Sequence, residues 1–399
     1  MMSQATVIQL NSAPPAKKSS EPLPVLRPKL PSAAEILPYL QAIDSRNVYS
    51  NYGPLVMRLE QELSRHLGAR DQTLVTVSNA TAGITAALLS LGIQEGETQE
   101  SGLCLMPSWT FAATPHAAMA AGFTPFFGDV DPETWALNPD KAANIVRAKL
   151  HQGRPVKAVI VVSPFGAPIK LQAWEQFQKE TGVPVIVDAA AGFDTAAPSS
   201  LLTVVSLHAT KILAAGEGGF VLADSPQKAR RIRACCNFGF EASRVAQCRS
   251  INAKMSEYHA AVGLASLAQW PAIRSKHLRI MDSYRQALAP IPGVTLQPGY
   301  AQGWATATTS VVLPAGSAAH VAECLRRSGI ETRPWWGQGC HVQPAFKNCP
   351  SAELPITEDL GNRVLGLPHY PDMERENVLQ VAAALNRALQ SLIPRRRAS

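Results

Sequence analysis

Residues 183–224 read VPVIVDAAAGFDTAAPSSLLTVVSLHATKILAAGEGGFVLAD. VPVIVDAA is an apolar run that closes on Asp188. LLTVVS is a second, closing on Ser206. Lys211 and the glycine-rich Gly216-Glu217-Gly218-Gly219 come next, and GGFVLAD is a third run. Runs that are apolar on both faces belong to strands covered on both sides, the pattern of a mostly parallel α/β sheet.

Outward from this stretch, strands and helices alternate. TLVTVS reads as a strand and NATAGITAALLSLG as a helix; GLCLMPS is strand-like and TPHAAMAAG helical. TPFFGDV and KAVIVVSPF are strands, and LQAWEQFQKETG is a helix. Upstream, SAAEILPYLQAIDSR reads as a helix despite Pro38. GPLVMRLEQELSRHLG is an amphipathic helix with Leu55, Leu59 and Leu63 on one face and Gly68 as its stop. The chain from about Ala260 to Ala289 is largely helical. From Gly293 onward short strands mix with the helices AAHVAECLRRSG and RENVLQVAAALNRALQSL, which predicts a smaller α+β unit.

The chain has 399 residues, 46% of them hydrophobic and 17% charged, enough for a large and a small lobe with buried cores. No run of eighteen apolar residues argues for a membrane span. The first residues, rich in Pro, Ser, Ala and Lys, lack the apolar stretch of a secretory signal and read as a tail. Seven scattered cysteines without a CxxC pair suggest neither a disulfide framework nor zinc. They fit reduced thiols in a cytoplasmic protein, with the vicinal Cys235 and Cys236 simply packed in a helix. The net charge is +7, partly from Lys17, Lys18 and Arg395 to Arg397 at the two ends. No nucleic-acid motif accompanies those runs, and a mildly basic body suits a doubly phosphorylated substrate.

Four elements carry chemistry. Ser78-Asn79-Ala80-Thr81-Ala82-Gly83 places small polar residues between a strand and a helix, where free backbone N–H groups receive phosphate; the same residues are also ordinary N-caps. Asp188 ends a sheet strand, where α/β folds place their sites. There it can keep a pyridine nitrogen protonated or merely cap a loop. Lys211 precedes a glycine-rich turn, and a desolvated amine there can form an imine with an aldehyde; otherwise it is a surface lysine. Asn252, in SINAKMSEYHAAVG, precedes a helix and is either a ligand or a cap.

Together these segments resemble the DegT/DnrJ/EryC1/StrS family of sugar aminotransferases, from about Ser32 to Leu392. The resemblance is carried, in order, by NYGPLVMRLEQEL, SNATAG, PSWTFAAT, GDVDPETWALNPD, SPFGAP, VDAA, SLHATKILAAGEGGF, NAKMSEYHAAVG and LPHYPDM. It implies fold type I of the pyridoxal-phosphate (PLP) transferases: a large domain over 31–285 with a mostly parallel seven-stranded sheet, and a small α+β domain over 286–394. A tail over 1–30 and a basic tail over 395–399 flank them.

The resemblance also implies roles. Lys211 matches the lysine that holds the cofactor as a Schiff base and shuttles the proton. Asp188 matches the partner of the pyridine nitrogen. Thr81, Ala82 and Ser206 match phosphate ligands. Phe111 matches the ring that stacks on the cofactor, with Trp109 as second choice. Asn252 matches a residue that reaches the phosphate of the neighbouring subunit, which implies a homodimer with shared sites. The implied reaction moves an amino group, from glutamate, to a nucleotide-linked keto-sugar for polysaccharide or lipopolysaccharide synthesis, with a 4-keto-6-deoxy sugar preferred to a 3-keto one. No metal, nucleic acid or membrane is expected. Ala191 stands where many members carry Gln or His, which leaves the cofactor's hydroxyl side less specified. A sugar dehydratase of the same family would carry His in place of Lys211. A non-catalytic scaffold would have lost Lys211 or Asp188.

Overall fold

A computed structural model describes residues 22–92 and 102–392. The expected basic ends, and residues 1–21 of the expected tail, lie outside the described residues. Residues 22–30 are docked rather than trailing. Leu23 bridges Ile330, Val25 is buried, His369 N donates to Val25 O (3.0 Å), and the Arg27 guanidinium sits over the Tyr370 ring. An apolar Leu-Pro-Val-Leu run within the charged, proline-rich start supplies this docking surface.

The helices α1 (Ala33–Arg46) and α2 (Pro54–Leu67) come first. Ser32 and Glu35 form a capping box on α1, and Gly68 ends α2 in the left-handed region. Gly53 offers α2 no side-chain cap. The Glu257 carboxylate supplies one from afar, accepting from Leu55 N and Val56 N at 2.8 Å each.

The sheet strands are β1 (Leu74–Val77), β2 (Leu103–Pro107), β3 (Thr124–Gly128), β4 (Val156–Val162), β5 (Val185–Asp188), β6 (Leu202–Ser206) and β7 (Gly219–Leu222). Between and after them run α3 (Ala80–Ser90), α4 (Ala113–Ala120), α5 (Pro139–His151), α6 (Leu171–Thr181), α7 (Pro226–Cys235), α8 (Glu257–Ala268) and α9 (Trp270–Leu288). The seven-stranded order is β1-β7-β6-β5-β4-β2-β3, parallel except for β7, which runs against both β1 and β6. No helix fits between Ser206 and Gly219, so β7 must return beside β6 in the opposite sense. Successive strand residues face opposite layers. Leu105, Val159, Val161, Val185 and Val187 pack toward α2, α6 and α8; Cys104, Met106, Ile160 and Ile186 pack toward α3, α4 and α7. Each such buried aliphatic side chain contributes about 1.5–3 kcal/mol.

The C-terminal unit has β8 (Thr295–Leu296), β9 (Thr309–Val312), α10 (Ala318–Arg327), α11 (Pro355–Arg363), β10 (Val364–Leu367) and α12 (Arg375–Gln390). Its antiparallel sheet, β10-β9-β8, shares a core with α9, α10 and α12 around Tyr284, Val311, Leu325, Leu365 and Leu385. Helices α5 and α11 were not foreseen. Both begin on a proline at the first turn, a start signal present in the sequence. No helix among the described residues is long and apolar enough to cross a membrane.

Candidate active site

The carboxyl ends of β1, β2, β5 and β6 supply the expected residues. Val77, Gly219 and Ser206 lie in one row across β1, β7 and β6. A Cβ at Gly219 would stand 2.7 Å from Val205 O and 3.1 Å from Ala80 N. Only glycine therefore lets the start of α3 settle against the end of β6. That close approach sets Ser206 beside the first turn of α3, the positive end of the helix dipole.

Asn79 caps α3, its side-chain oxygen accepting from Ala82 N (2.9 Å). The Ala82 amide, one of the expected phosphate ligands, is thus occupied by the cap, while Thr81 precedes the helix's own hydrogen-bond ladder. Ser206 is buried and its Oγ accepts from His208 N (3.2 Å), which leaves its hydroxyl proton to donate.

Asp188 ends β5 and is 4% exposed. Its Oδ2 accepts from Thr114 Oγ1 (2.8 Å) and its Oδ1 from Ala190 N (3.1 Å). Burial pushes its pKa up; the Thr114 and Ala190 hydrogen bonds and the Lys211 charge pull the other way. Lys211 lies in a turn pinned by Ala209 N to Gly216 O (2.7 Å) and Lys211 N to His208 O (2.8 Å). Burial pulls its amine pKa down, against the pull of Asp188. The two groups are close enough to feel each other's charge, and desolvation drives both toward neutrality.

Phe111 follows β2 and is 66% exposed, high for a large apolar ring. Trp109 does not share its direction, because the chain bends over 108–110 instead of extending. Its ring is buried against Trp135, Phe165 and Trp336, which corrects the second choice for a stacking ring. Asn252 stands apart. It is exposed, and its Oδ1 accepts from Lys254 Nζ (2.7 Å), although the next residue, Ala253, accepts from Ser78 N (2.7 Å) beside the α3 start.

Sequence reasoning missed Thr114, and it read Gly219 only as part of a glycine-rich turn. The signal for Thr114 was its place in the TFAAT segment, four residues after Thr110, to which its hydroxyl is also bonded (3.1 Å). A cavity of about 290 Å³ adjoins Lys211 and is walled by the strap Leu26 to Pro31, His277 and His369. Asp188, Thr81, Ser206 and Phe111 do not line it, so it lies beside the cradle and is not the cradle itself.

The donor set fits PLP. A buried carboxylate with acceptor capacity to spare suits a protonated pyridine nitrogen. A desolvated amine suits an aldehyde carbon, and a helix start with a buried hydroxyl suits a phosphate. Among the described residues, no group of His, Cys, Asp or Glu is arranged to hold a metal ion.

A model of the DegT/DnrJ/EryC1/StrS aminotransferase family matches residues 32–386. The crystal structure of DesI in the presence of its TDP-sugar product is 33% identical, with TM-score 0.83, and the match covers 94% of each chain. A structure from Bacillus cereus ATCC 10987, described as a PLP-dependent aminotransferase, is 31% identical with TM-score 0.84; the match covers 92% of this chain and all of that one. The dTDP-4-amino-4,6-dideoxy-D-glucose transaminase of Escherichia coli is 28% identical over 91% of this chain and 98% of its own length.

Proposed function

The chain belongs to the DegT/DnrJ/EryC1/StrS family of PLP-dependent sugar aminotransferases, and from that premise we propose that it aminates a nucleotide-linked keto-sugar, with glutamate as amino donor. The sugar is a 4-keto-6-deoxy hexose in this reading. The observation that carries the proposal is the buried Asp188 at the end of β5 with the half-buried Lys211 close enough to feel its charge, in a chain similar to a dTDP-4-amino-4,6-dideoxyglucose transaminase.

The chemistry that bound PLP supplies is an electron sink for the carbon that exchanges its proton. Lys211, with its amine pulled toward the neutral form by burial, can accept that proton and return it. Asp188, oriented by Thr114 and Ala190, would keep a proton on the pyridine nitrogen of bound PLP. Thr81 and Ser206 would hold its phosphate, with Ala82 contributing if its amide were shared with Asn79. Phe111 would cover one face of the ring. The exposed Asn252 suits a residue lent to the phosphate of a second subunit, which makes the working form a homodimer.

Purified protein is incubated with glutamate and a panel of nucleotide-linked 3-keto and 4-keto sugars, and 2-oxoglutarate is followed. The expected result is release that depends on a 4-keto-6-deoxy sugar. Release with every 2-oxo acid but with no nucleotide sugar would overturn the substrate class. For the dimer, inactive Lys211→Ala subunits are mixed with Asn252→Ala subunits at limiting cofactor. Recovered activity supports a shared site, and subunit exchange without recovery refutes it.

A further inference from the structure

The segment between α7 and α8 closes on itself. Ile251 N donates to Cys235 O (2.8 Å), Ala253 N donates to Cys236 O (3.0 Å), and Asn237 and Asn252 form an antiparallel bridge. Above this base the chain runs out and back over 238–250. Phe238 and Gly239 turn it with φ of 57° and 73°, Gln247 N donates to Gly239 O (2.9 Å), and residues 241–247 are exposed. The returning limb carries Cys248 over the end of α7, where its Sγ lies 3.8 Å from Cys235 Sγ. Both thiols are free. The backbone fixes this placement: a Cβ on Gly239 would stand 2.6 Å from Cys248 O, so the two limbs touch with no side chain between them. Cys236, the neighbour in sequence, is fully buried and makes no such approach.

We propose that Cys235 and Cys248 are a modification site, a reversible disulfide that staples the 238–250 loop to the end of α7. A disulfide bond is about 2.05 Å long, so the sulfurs need close by roughly 1.8 Å, within the reach of side-chain rotation. Cys235 is 1% exposed and burial keeps its thiol protonated, whereas Cys248 is only half-buried. Cys248 is therefore the entry thiol. Its thiolate attacks one sulfur of a small disulfide such as oxidised glutathione and displaces one small thiolate. Cys235 then loses its proton to solvent and attacks Cys248 Sγ, displacing the second small thiolate. The protein loses two thiol hydrogens and two electrons; the small disulfide is reduced to two thiols.

The consequence is mechanical. Oxidation ties the exposed loop to the end of α7, and the loop leads directly into Asn252 and Lys254. The link to the shared site rests on the proposed function; the staple itself does not.

Holoenzyme is equilibrated with oxidised glutathione, free thiols are alkylated, and peptides are mapped by mass. The expected product is a Cys235–Cys248 crosslink that dithiothreitol reverses. Amide exchange over 240–247 should slow about tenfold or more in the oxidised form. Cys248→Ser, a change at a half-buried loop position, should retain native exchange elsewhere and form no crosslink to Cys235. A crosslink between other cysteines, a reaction that stops at a mixed disulfide on Cys248, or a crosslink that leaves exchange over 240–247 unchanged would each overturn the proposal. Transfer to keto-sugars is assayed separately on the reduced enzyme, so failure of the staple and failure of the aminotransferase reading are distinguishable.

Discussion

Asp188 and Lys211 feel each other's charge beside the carboxyl ends of the large sheet; His277 and His369 meet where α9 packs on the C-terminal unit. Asp188, His277 and His369 are buried and Lys211 is half-buried. In the first pair, opposite charges offset the cost of burial for each other, and the carboxylate keeps two donors, Thr114 and Ala190. In the second, His277 Nδ1 lies 2.9 Å from His369 Nε2, and a chain of bonds continues to Thr309 Oγ1 (2.8 Å) and the Tyr300 hydroxyl (2.6 Å). No carboxylate joins this chain, and the Lys276 charge opposes protonation of His277. Burial holds His277 at about 4 and His369 well below the usual imidazole range. The same physical factor, desolvation, leaves a reactive pair in one place and a neutral structural link in the other. What differs is the counter-charge and the open strand ends around it.

The comparison breaks most sharply at Lys211. Lys211→Ala should abolish amino transfer. Borohydride reduction of the native holoenzyme should leave the cofactor on a single peptide, the one containing Lys211. Labelling of another lysine sinks the assignment. Asp188→Asn should retain cofactor while lowering kcat on the order of 10²–10³-fold, because an amide holds no proton on a pyridine nitrogen. Native turnover in that variant would mean that the pair does nothing electronic.

Much of the first pair was legible and almost none of the second. Asp188, Ser206 and Lys211 announce themselves because each follows an apolar run at the place where α/β sheets open to ligands. The mostly parallel sheet was readable for the same reason, and its seven strands were implied by the family resemblance. Thr114 and Asp188 are 74 residues apart and His277 and His369 are 92 apart, and no local period encodes such meetings. The docking of residues 22–30 on the C-terminal unit was hidden likewise. A proline-rich start resembles a tail until the hydrophobic seam it covers is in place. Cys235 was read beside Cys236, its neighbour along the chain; the loop fold gives it Cys248 instead.

The histidine pair predicts an acid limb of stability. An unfolded histidine titrates near 6.5, so between that value and about 4 the unfolded chain binds the proton that folded His277 refuses. Stability therefore falls as pH drops through this window, by roughly 3 kcal/mol at pH 4 from His277 alone. Chemical denaturation between pH 7 and pH 4 measures it. His277→Gln should lower stability at pH 7 and flatten the acid slope. A slope left unchanged by the substitution would show that the loss arises elsewhere.

The smallest effect tests what orients the first pair. Thr114 is fully buried, and its hydroxyl is the largest influence opposing the burial of Asp188. Thr114→Val keeps the shape and removes the donor. The Asp188 pKa should then rise further, since burial is left with only Ala190 and Lys211 against it. Asp188 acts as the carboxylate, so the acid limb of the rate profile should move to higher pH, with kcat reduced about tenfold, equivalent to about 1.4 kcal/mol. Thr114→Ser restores the hydroxyl and should restore the limb. A packing defect would lower stability and leave the limb where it was, and the serine variant would then fail to rescue. The profile therefore separates a threonine that sets the charge state of Asp188 from one that only fills space in the core.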